Sequence, residues 1–408
     1  MSKFNLILDK LIWLFTTILF SSFYIFNTNE YSRFILLGIT LIILGLEFLY
    51  YGKKFPLYWH TFHTLMLLFA IFCFASALWA IEPYPAIIQG SIILQLLICM
   101  SVLYTYYLNS DSTTPLWDII MWSGYIVTVY AFLYYGLDTI KNILSYAERL
   151  DNAFANVNDI GMLAALSVTI TLYDILFKKF KWYHLLAILN IILIAATGSR
   201  KALFLLIAGT ALITFLRYSA KNFFLSLFHY IILFCLCLVL FRLLLEISIF
   251  EGVKERFDTM FNMWRNLGKV DSSAFLRSWM IQVGWEQFKQ TPIIGVGMSN
   301  SGIILERVIR RTYFHNNYIE MLACGGIVGT VLYYQLFLIP AIQLFRQRFC
   351  PDKNTMLCLI LIMLIFMMDM GAVSSGAKST YFYLMIIFIQ VKINKRFLDK
   401  QNKETYLK

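Results

Sequence analysis

Long apolar stretches separated by short polar ones dominate the chain. They lack the alternation typical of membrane strands and run for roughly 16–22 residues, the length with which a helix crosses about 30 Å of hydrocarbon. The pattern therefore predicts an all-α fold, a polytopic membrane helix bundle with about twelve transmembrane helices. The predicted segments are 11–27, 34–51, 64–80, 86–107, 116–135, 160–177, 183–197, 201–216, 223–244, 318–340, 356–368 and 380–391.

One polar break interrupts the apolar stretch that runs from 183 to 216. It contains Gly198, Ser199, Arg200 and Lys201. A pair of charged side chains in the middle of a membrane is costly, so the break predicts a tight turn at the membrane surface between two helices.

Lysine and arginine lie mainly between the apolar stretches and indicate the orientation of the chain. With a cytoplasmic N-terminus, the basic residues at 53–54, 178–181, 346–353 and 392–408 all fall in the cytoplasm, as the positive-inside rule requires. The C-terminus is then cytoplasmic as well. The longer polar segments at 136–159 and 245–317 are expected on the outer face.

This order gives three parts. Residues 1–244 carry the first nine predicted helices together with the outer segment 136–159, and residues 245–317 form a periplasmic or extracellular loop. Residues 318–408 carry the last three helices and a basic cytoplasmic tail. The first apolar run lacks a small-residue cleavage site, so we expect it to be a retained helix. We also expect no soluble domain at either end and no internal repeat.

Composition supports a lipid environment and excludes several classes of function. Hydrophobic residues make up 60% of the 408 residues and charged residues only 14%, and the mean hydropathy is +0.70. The net charge of +11 lies mostly in the topological anchors, so nucleic acid is not an expected partner. None of the seven cysteines lies in the large outer loop, which argues against a disulfide framework. No metal-binding constellation is evident, and no cofactor is expected.

His315 is the one histidine that this topology places on the outer face. It lies where the outer loop re-enters the membrane as a helix. A histidine there titrates near neutral pH and accepts a proton from a hydroxyl. The alternative is an interfacial polar residue beside an aromatic belt.

The outer loop also supplies an arginine and a glycine turn. Phe275, Met280 and Val283 follow helical spacing after two serines, which predicts a capped amphipathic helix on the membrane surface, and Arg277 lies on it. The turn that follows contains Gly295 and Gly297, whose backbone amides are candidates for approaching an anion. A plain turn is the alternative.

Two further outer positions carry candidate chemistry. Arg200 is suited to a phosphate because guanidinium groups grip phosphate oxygens with two donors, although a snorkelling anchor is the alternative. Before the helix predicted at 160–177 lie Arg149 and Asn158, and helix capping by Asn158 explains part of that pattern. Asp369 is also expected on the outer face, with pairing to Lys378 as a simple explanation.

Arginines and one histidine thus converge on the outer face of a helical bundle without a matching set of metal ligands. The pattern indicates a metal-independent site for a phosphorylated substrate, in which arginines hold a diphosphate and the histidine takes a proton from an attacking hydroxyl.

The order of these motifs resembles the O-antigen ligase and polymerase superfamily of bacterial membranes. The resemblance covers residues 149–329, about half the chain. It rests on the order and spacing of four motifs: Ala-Thr-Gly-Ser-Arg-Lys-Ala at 196–202, Phe-Leu-Arg at 275–277, Pro-Ile-Ile-Gly-Val-Gly at 292–297, and His-Asn-Asn-Tyr-Ile-Glu at 315–320 running into Cys-Gly-Gly-Ile-Val-Gly at 324–329.

The resemblance implies a GT-C-like inverting glycosyltransferase of the bacterial inner membrane. Such an enzyme takes glycan from undecaprenyl diphosphate and passes it to an acceptor sugar hydroxyl on the outer face. By the same resemblance, His315 is the catalytic residue, and Arg200 and Arg277 bind the diphosphate. Further substrate-binding candidates are Arg149, Asn158, Gly295, Gly297, Asn316 and Glu320, although Val157 replaces the proline usual between the family's asparagines.

Several functions remain open at this point. An O-antigen polymerase extends another lipid-linked glycan and is favoured, whereas a ligase transfers the glycan to lipid A core. A chain-length regulator is a further candidate partner. A transporter or flippase for lipid-linked sugars needs a similar basic cavity, but transporters carry their ionisable residues near the membrane midplane, and here those residues gather at one surface. A non-catalytic scaffold of an assembly complex is the third class.

Overall fold

The computed structural model describes residues 3–26, 31–56, 58–146, 150–151, 155–218, 254, 272–348, 352 and 354–406. These residues form α-helices and short 3-10 turns, with no strand among them. The helices are α1 (Lys3–Ile25), α2 (Ser32–Tyr51), α3 (Thr61–Ser76), α4 (Pro83–Asn109), α5 (Thr114–Tyr135), α6 (Leu137–Ser145), α7 (Val157–Phe177), α8 (Ala187–Thr197), α9 (Arg200–Tyr218), α10 (Ser272–Gln290), α11 (Ser301–Glu306), α12 (Asn317–Arg346), α13 (Asn354–Asp369) and α14 (Lys378–Tyr406).

The fold confirms a polytopic helical membrane protein but not the number of twelve crossings. Eleven of the predicted segments coincide with helices, and the segment at 223–244 lies outside the described residues. Within the described part, seven helices are long and apolar enough to cross a membrane: α1, α2 with the 3-10 turn that follows it, α4, α5, α7, α9 and α12. By contrast, α3 and α13 have 16 residues each, about 24 Å of rise, so they fall short of a full hydrocarbon thickness.

The chain folds as two compact units. Unit 1 contains residues 1–12, 40–116 and 272–408, and unit 2 contains residues 13–39 and 117–271. Each unit is built around one buried helix. In unit 1, every residue from 380 to 391 of α14 is buried, and in unit 2 every residue from 160 to 171 of α7 is buried.

In unit 2, small residues let the helices approach closely. Gly161 in α7 has no side chain, and Thr197 of α8 and Ala202 of α9 approach the position that its Cβ would occupy. Gly209 of α9 does the same for Thr169 of α7. Small residues at such crossings increase van der Waals contact between helices, which is the main attraction available where lipid replaces water.

The segment at 136–159, expected on the outer face, contains a helix that the apolar pattern did not reveal. Gly136, at φ 80°, turns the chain after α5, and α6 then buries Ile140, Ile143 and Leu144 on one face. This spacing is that of a short amphipathic helix. In the segment 245–317, expected to be an outer loop, α10 confirms the predicted helix. Its predicted apolar residues differ in burial: Met280 is buried and Phe275 is exposed.

Helix α12 of unit 1 is broken after its first nine residues. Gly326 has φ 61° and ψ −163°, far from helical values, so α12 consists of two helical pieces joined at this point. The carbonyl groups before the break lose their helical partners and need other donors. Residues 292–297 supply them.

Candidate active site

His315 lies in the turn that leads into α12. Its backbone is left-handed, with φ 56°, a conformation that few non-glycine residues adopt. Its imidazole is half-buried, and the ring centroid of Tyr313 lies 4.0 Å from that of His315. The next residue, Phe314, is completely buried. The turn therefore anchors one aromatic side chain in the protein and leaves His315 partly accessible.

Glu320 stabilises the His315 turn through buried hydrogen bonds. Its carboxylate accepts hydrogen bonds from the backbone N–H of Phe314, at 3.2 Å, and from the hydroxyl of Ser301. Glu320 is only 5% exposed. These contacts give Glu320 a structural part in fixing the His315 turn, which the sequence did not suggest. Its direct contact with substrate stays a prediction.

Asn316 begins α12 and ties it to the segment after α13. Its side-chain oxygen accepts from the backbone N–H of Ile319 at 3.1 Å, the hydrogen bond of an N-cap. Its side-chain NH₂ donates to the carbonyl of Met370 at 3.4 Å. A substrate-binding role for Asn316 stays a prediction beside this capping role.

Asn317 is the centre of a buried polar network that the sequence did not reveal. Its NH₂ group donates to the Tyr334 hydroxyl at 2.9 Å and to Asp369 Oδ2 at 3.2 Å. Its oxygen accepts from the backbone N–H groups of Ser374 and Ser375, both at 3.1 Å. The amide thus makes the four hydrogen bonds it is able to make, and α12 is joined through it to α13 and to the loop before α14.

The turn at 291–297 fits into the break of α12. The N–H groups of Val296 and Gly297 donate to the carbonyls of Ala323 and Cys324, at 3.2 and 3.0 Å. On the other side of the break, the N–H of Ile327 donates to the carbonyl of Pro292 at 2.8 Å. The broken helix is therefore satisfied by a second segment of backbone.

Gly295 and Gly326 face each other across this contact. A Cβ on Gly295 would overlap the backbone of Cys324, and a Cβ on Gly326 would overlap the carbonyl of Ile293. The N–H of Gly295 donates to Thr291 at 3.1 Å, and that of Gly297 donates to Cys324. Both amides thus have acceptors inside the protein, which favours the plain turn over an anion-binding loop.

Arg277 lies on α10, which packs on the same small core as the His315 turn. Met280 of α10, Val296 of the glycine turn and Phe314 belong to one buried cluster, with Leu276 packed against it. Because Arg277 follows Leu276 and Phe314 precedes His315, both candidate residues project from elements fixed to this cluster. The guanidinium-bearing side chain of Arg277 is half-buried.

Arg200 belongs to unit 2 and is the first residue of α9. The predicted tight turn is confirmed, because α8 ends at Thr197 and Gly198 adopts φ 57° before α9 begins. The Ser199 hydroxyl accepts from the N–H of Ala202 at 3.4 Å. Arg200 is exposed at a helix N-terminus, where the helix dipole favours an anion.

The start of α7 lies beside this turn, and its cap differs from the expectation. The prediction that Asn158 caps the helix is wrong: Asn156 is the N-cap, and its side-chain oxygen accepts from the N–H of Asn158 at 3.0 Å. The backbone at 156 is extended, as a cap requires, whereas Asn158 lies already within the first helical turn. Asn158 is half-buried, and Arg149 lies outside the described residues.

Two ion pairs near the His315 turn lie at the surface. Arg311 Nη2 lies 3.0 Å from Glu82 Oε2, and Arg311 Nη1 lies 3.5 Å from Glu306 Oε2, with all three side chains about half exposed. In the part of the chain that the structure describes, no three histidine, cysteine, aspartate or glutamate side chains group as metal ligands would.

Part of the chain is similar in sequence to a known protein family. Residues 185–334 match the family described as O-antigen ligase. The match confirms the resemblance to the O-antigen ligase and polymerase superfamily, and it includes Arg200, Arg277 and His315. It begins after Asn158, so the element before α7 lies outside it and the resemblance there stays a prediction. No curated protein matches the chain.

The similarity of residues 185–334 to the O-antigen ligase family implies a membrane enzyme of the ligase or polymerase type. The apolar helices fit the same setting, an integral protein of the inner membrane. The arrangement in unit 1 offers a partly accessible imidazole on a rigid turn, which is what proton transfer at a defined position needs.

Proposed function

We propose that this protein is a membrane glycosyltransferase of the O-antigen polymerase type. It transfers an oligosaccharide from undecaprenyl diphosphate to a sugar hydroxyl of a second lipid-linked glycan at the outer face of the inner membrane. The observation that carries the proposal is that the family match contains Arg200, Arg277 and His315, and that His315 stands on a turn fixed by buried hydrogen bonds.

In the proposed reaction, the acceptor hydroxyl attacks the anomeric carbon from the side opposite the diphosphate. A new C–O bond forms as the bond to the diphosphate oxygen breaks, so the configuration inverts. His315 accepts the hydroxyl proton. The bond electrons leave with undecaprenyl diphosphate, whose growing charge Arg200 and Arg277 neutralise. Two guanidinium groups thereby supply the positive charge that a metal ion supplies elsewhere, so a chelator should leave the rate unchanged.

The alternative is an O-antigen ligase, which differs only in its acceptor. The family description names this activity. A lipid A core in place of a second lipid-linked glycan uses the same base and the same diphosphate site. Purified protein that builds a ladder of glycan lengths from lipid-linked units alone would support the polymerase. A single transfer that needs added lipid A core would support the ligase.

The experiment that tests the transferase is His315→Ala in cells that lack the native protein. We expect loss of long-chain glycan, with lipid-linked units accumulating on the outer face of the membrane. A transporter would instead leave those units on the inner face. Accessibility to a membrane-impermeant oxidant that labels sugars distinguishes the two faces.

Two controls separate chemistry from folding. The amount of His315→Ala protein in the membrane should equal that of the native protein, and Tyr313→Phe, which keeps the neighbouring ring, should retain long-chain glycan. Full glycan length in His315→Ala would remove the proposed mechanism. Full length in His315→Ala, Arg200→Gln and Arg277→Gln alike would favour a non-catalytic scaffold.

A further inference from the structure

A second polar cluster lies in unit 1 at the beginning of α3. It consists of His60, His63 and Tyr104 together with Lys392 of α14. The other end of α3 carries Ser76, whose hydroxyl accepts from the N–H of Met298 in the glycine-turn region. The 16 residues of α3 give about 24 Å of rise between these two ends. The cluster is therefore separate from the His315 site.

Three buried polar atoms of this cluster have no partner among the described residues. They are His60 Nδ1, His63 Nε2 and Tyr104 Oη. The ring centroid of Tyr104 lies 4.8 Å from that of His63 and 5.6 Å from that of His60. Buried groups of this kind normally have a hydrogen-bond partner, and leaving one without costs free energy.

His63 Nε2 is a donor. His63 Nδ1 accepts the backbone N–H of His60 at 3.0 Å, so the proton of the neutral imidazole resides on Nε2. His63 is completely buried, and Tyr104 is too. A phenol hydroxyl beside an N–H donor needs an acceptor that the described protein does not provide.

Two cations, Lys392 and Arg396, lie near His60. Burial and the charges of Lys392 and Arg396 lower the pKa of His60 below its ordinary value. Arg396 already donates to the carbonyl of Leu108 at 2.9 Å and to Asp111 at 3.0 Å. Lys392 is half-buried and makes no hydrogen bond or ion pair with the described residues. A metal ion is disfavoured beside two cations, whereas an anion with several oxygens matches the unmet donors.

We propose that Lys392, His63 and Tyr104 form a phosphate-binding site at the start of α3, at the end of unit 1 away from His315. Its ligand is a phosphate group, either of an anionic lipid or of free phosphate. Lys392 follows the buried stretch 380–391 and precedes the basic tail, a position where lysine meets lipid headgroups. The site does not depend on the proposed transferase activity.

Tyr58 and Asn109 support the arrangement. The ring of Tyr58 stacks on His60 with a centroid distance of 5.6 Å, and its hydroxyl donates to Asn109 Oδ1 at 2.9 Å. Tyr58 thus holds His60 against His63 and Tyr104 and keeps a partner of its own. These contacts limit the movement of the rings around the donors before a ligand binds.

The experiment uses the purified full-length protein in a neutral detergent. One arm titrates inorganic phosphate against chloride at equal ionic strength and follows tryptophan fluorescence and thermal unfolding. The second arm adds phosphatidylglycerol or phosphatidylcholine and counts retained lipid molecules by native mass spectrometry. Binding of phosphate in the first arm identifies a free-ion site. Retention of phosphatidylglycerol over phosphatidylcholine without phosphate binding identifies a lipid site.

The matched variants are Lys392→Gln and Lys395→Gln, because Lys395 lies on the same helix and is exposed. We expect Lys392→Gln to weaken binding about tenfold or more, as loss of a charge-assisted hydrogen bond does, and Lys395→Gln to leave it within about twofold. Tyr104→Phe, which removes only the hydroxyl, should also weaken binding. Absence of binding in both arms, or equal binding by the two lysine variants, would overturn the proposal.

Discussion

Around His315 in unit 1, buried side chains hold the backbone through hydrogen bonds, whereas around Arg200 in unit 2 the backbone is held by helix ends and close helix packing. Glu320 and Asn317 make the hydrogen bonds around His315. Around Arg200, the helix ends are formed by Gly198 and Ser199, and the close packing is that of Gly161 against Ala202.

The difference fits the two proposed tasks. A general base must stand within hydrogen-bonding reach of one proton, so its turn has to be rigid. A guanidinium group that binds a phosphate acts over a longer range and through two donors on a flexible stem. An exposed position at the start of α9 is sufficient for that second role.

The largest effect is expected from the two arginines. Arg277→Gln should lower the transfer rate by about 10²–10³-fold, the size typical of removing one group that stabilises transition-state charge, and Arg200→Gln should lower it less. Arg277 is half-buried and Arg200 is exposed, and charges interact more strongly where water is partly excluded. The rate is measured with purified protein and lipid-linked glycan.

Each arginine has a control on its own helix. Lys289→Gln removes an exposed charge from α10, where it pairs with Glu286, and Arg217→Gln removes one near the end of α9. Both should keep the native rate. If the controls lose as much activity as the two tested variants, the effect comes from general charge, and the diphosphate assignment is wrong.

The next effect concerns the break in α12. Gly326→Ala should destabilise the protein by about 2–4 kcal/mol, because the new Cβ overlaps the carbonyl of Ile293 and the backbone has a positive φ. Gly45→Ala in α2 is the control, since nothing lies within 4 Å of its Cβ. Thermal unfolding in detergent is the measurement. Equal midpoints for the two variants would show that the turn at 291–297 is not held in the break.

A smaller effect is expected from Asn317→Ala. This change removes the acceptor of the backbone N–H groups of Ser374 and Ser375, and it leaves Tyr334 and Asp369 with the hydrogen bond between them alone, at a cost of about 1–3 kcal/mol. We expect a lower midpoint of unfolding and a lower kcat at unchanged KM, because the turn before α12 loosens while the arginines remain. Native kcat with a lowered midpoint would limit Asn317 to stability alone.

The smallest effect distinguishes the two asparagines at the start of α7. Asn156→Ala removes the N-cap and should cost about 1 kcal/mol, whereas Asn158→Ala removes no cap hydrogen bond. Thermal unfolding measures the stability of each variant. A loss of transfer rate in Asn158→Ala without a change of midpoint would support the predicted substrate contact.

Much of the local structure could be predicted because it depends on neighbouring residues. Apolar runs predicted the positions of helices, and the charged pair Arg200 and Lys201 within an apolar stretch predicted the turn between α8 and α9. The same runs do not show which helix lies at the centre of a unit: α14 is apolar at 380–391, and every residue of that stretch is buried. Hydrophobicity alone does not tell a lipid-facing helix from one surrounded by protein.

The sequence by itself determined a helical membrane chain with a histidine just before one helix, an arginine at the start of a second and an arginine within a third. Only the tertiary structure decided what fixes that histidine. Asn317 meets Asp369 across 52 positions and the Ser374 amide across 57. The period of a single helix carries no information about such partners, because they depend on which helices pack together and in what register.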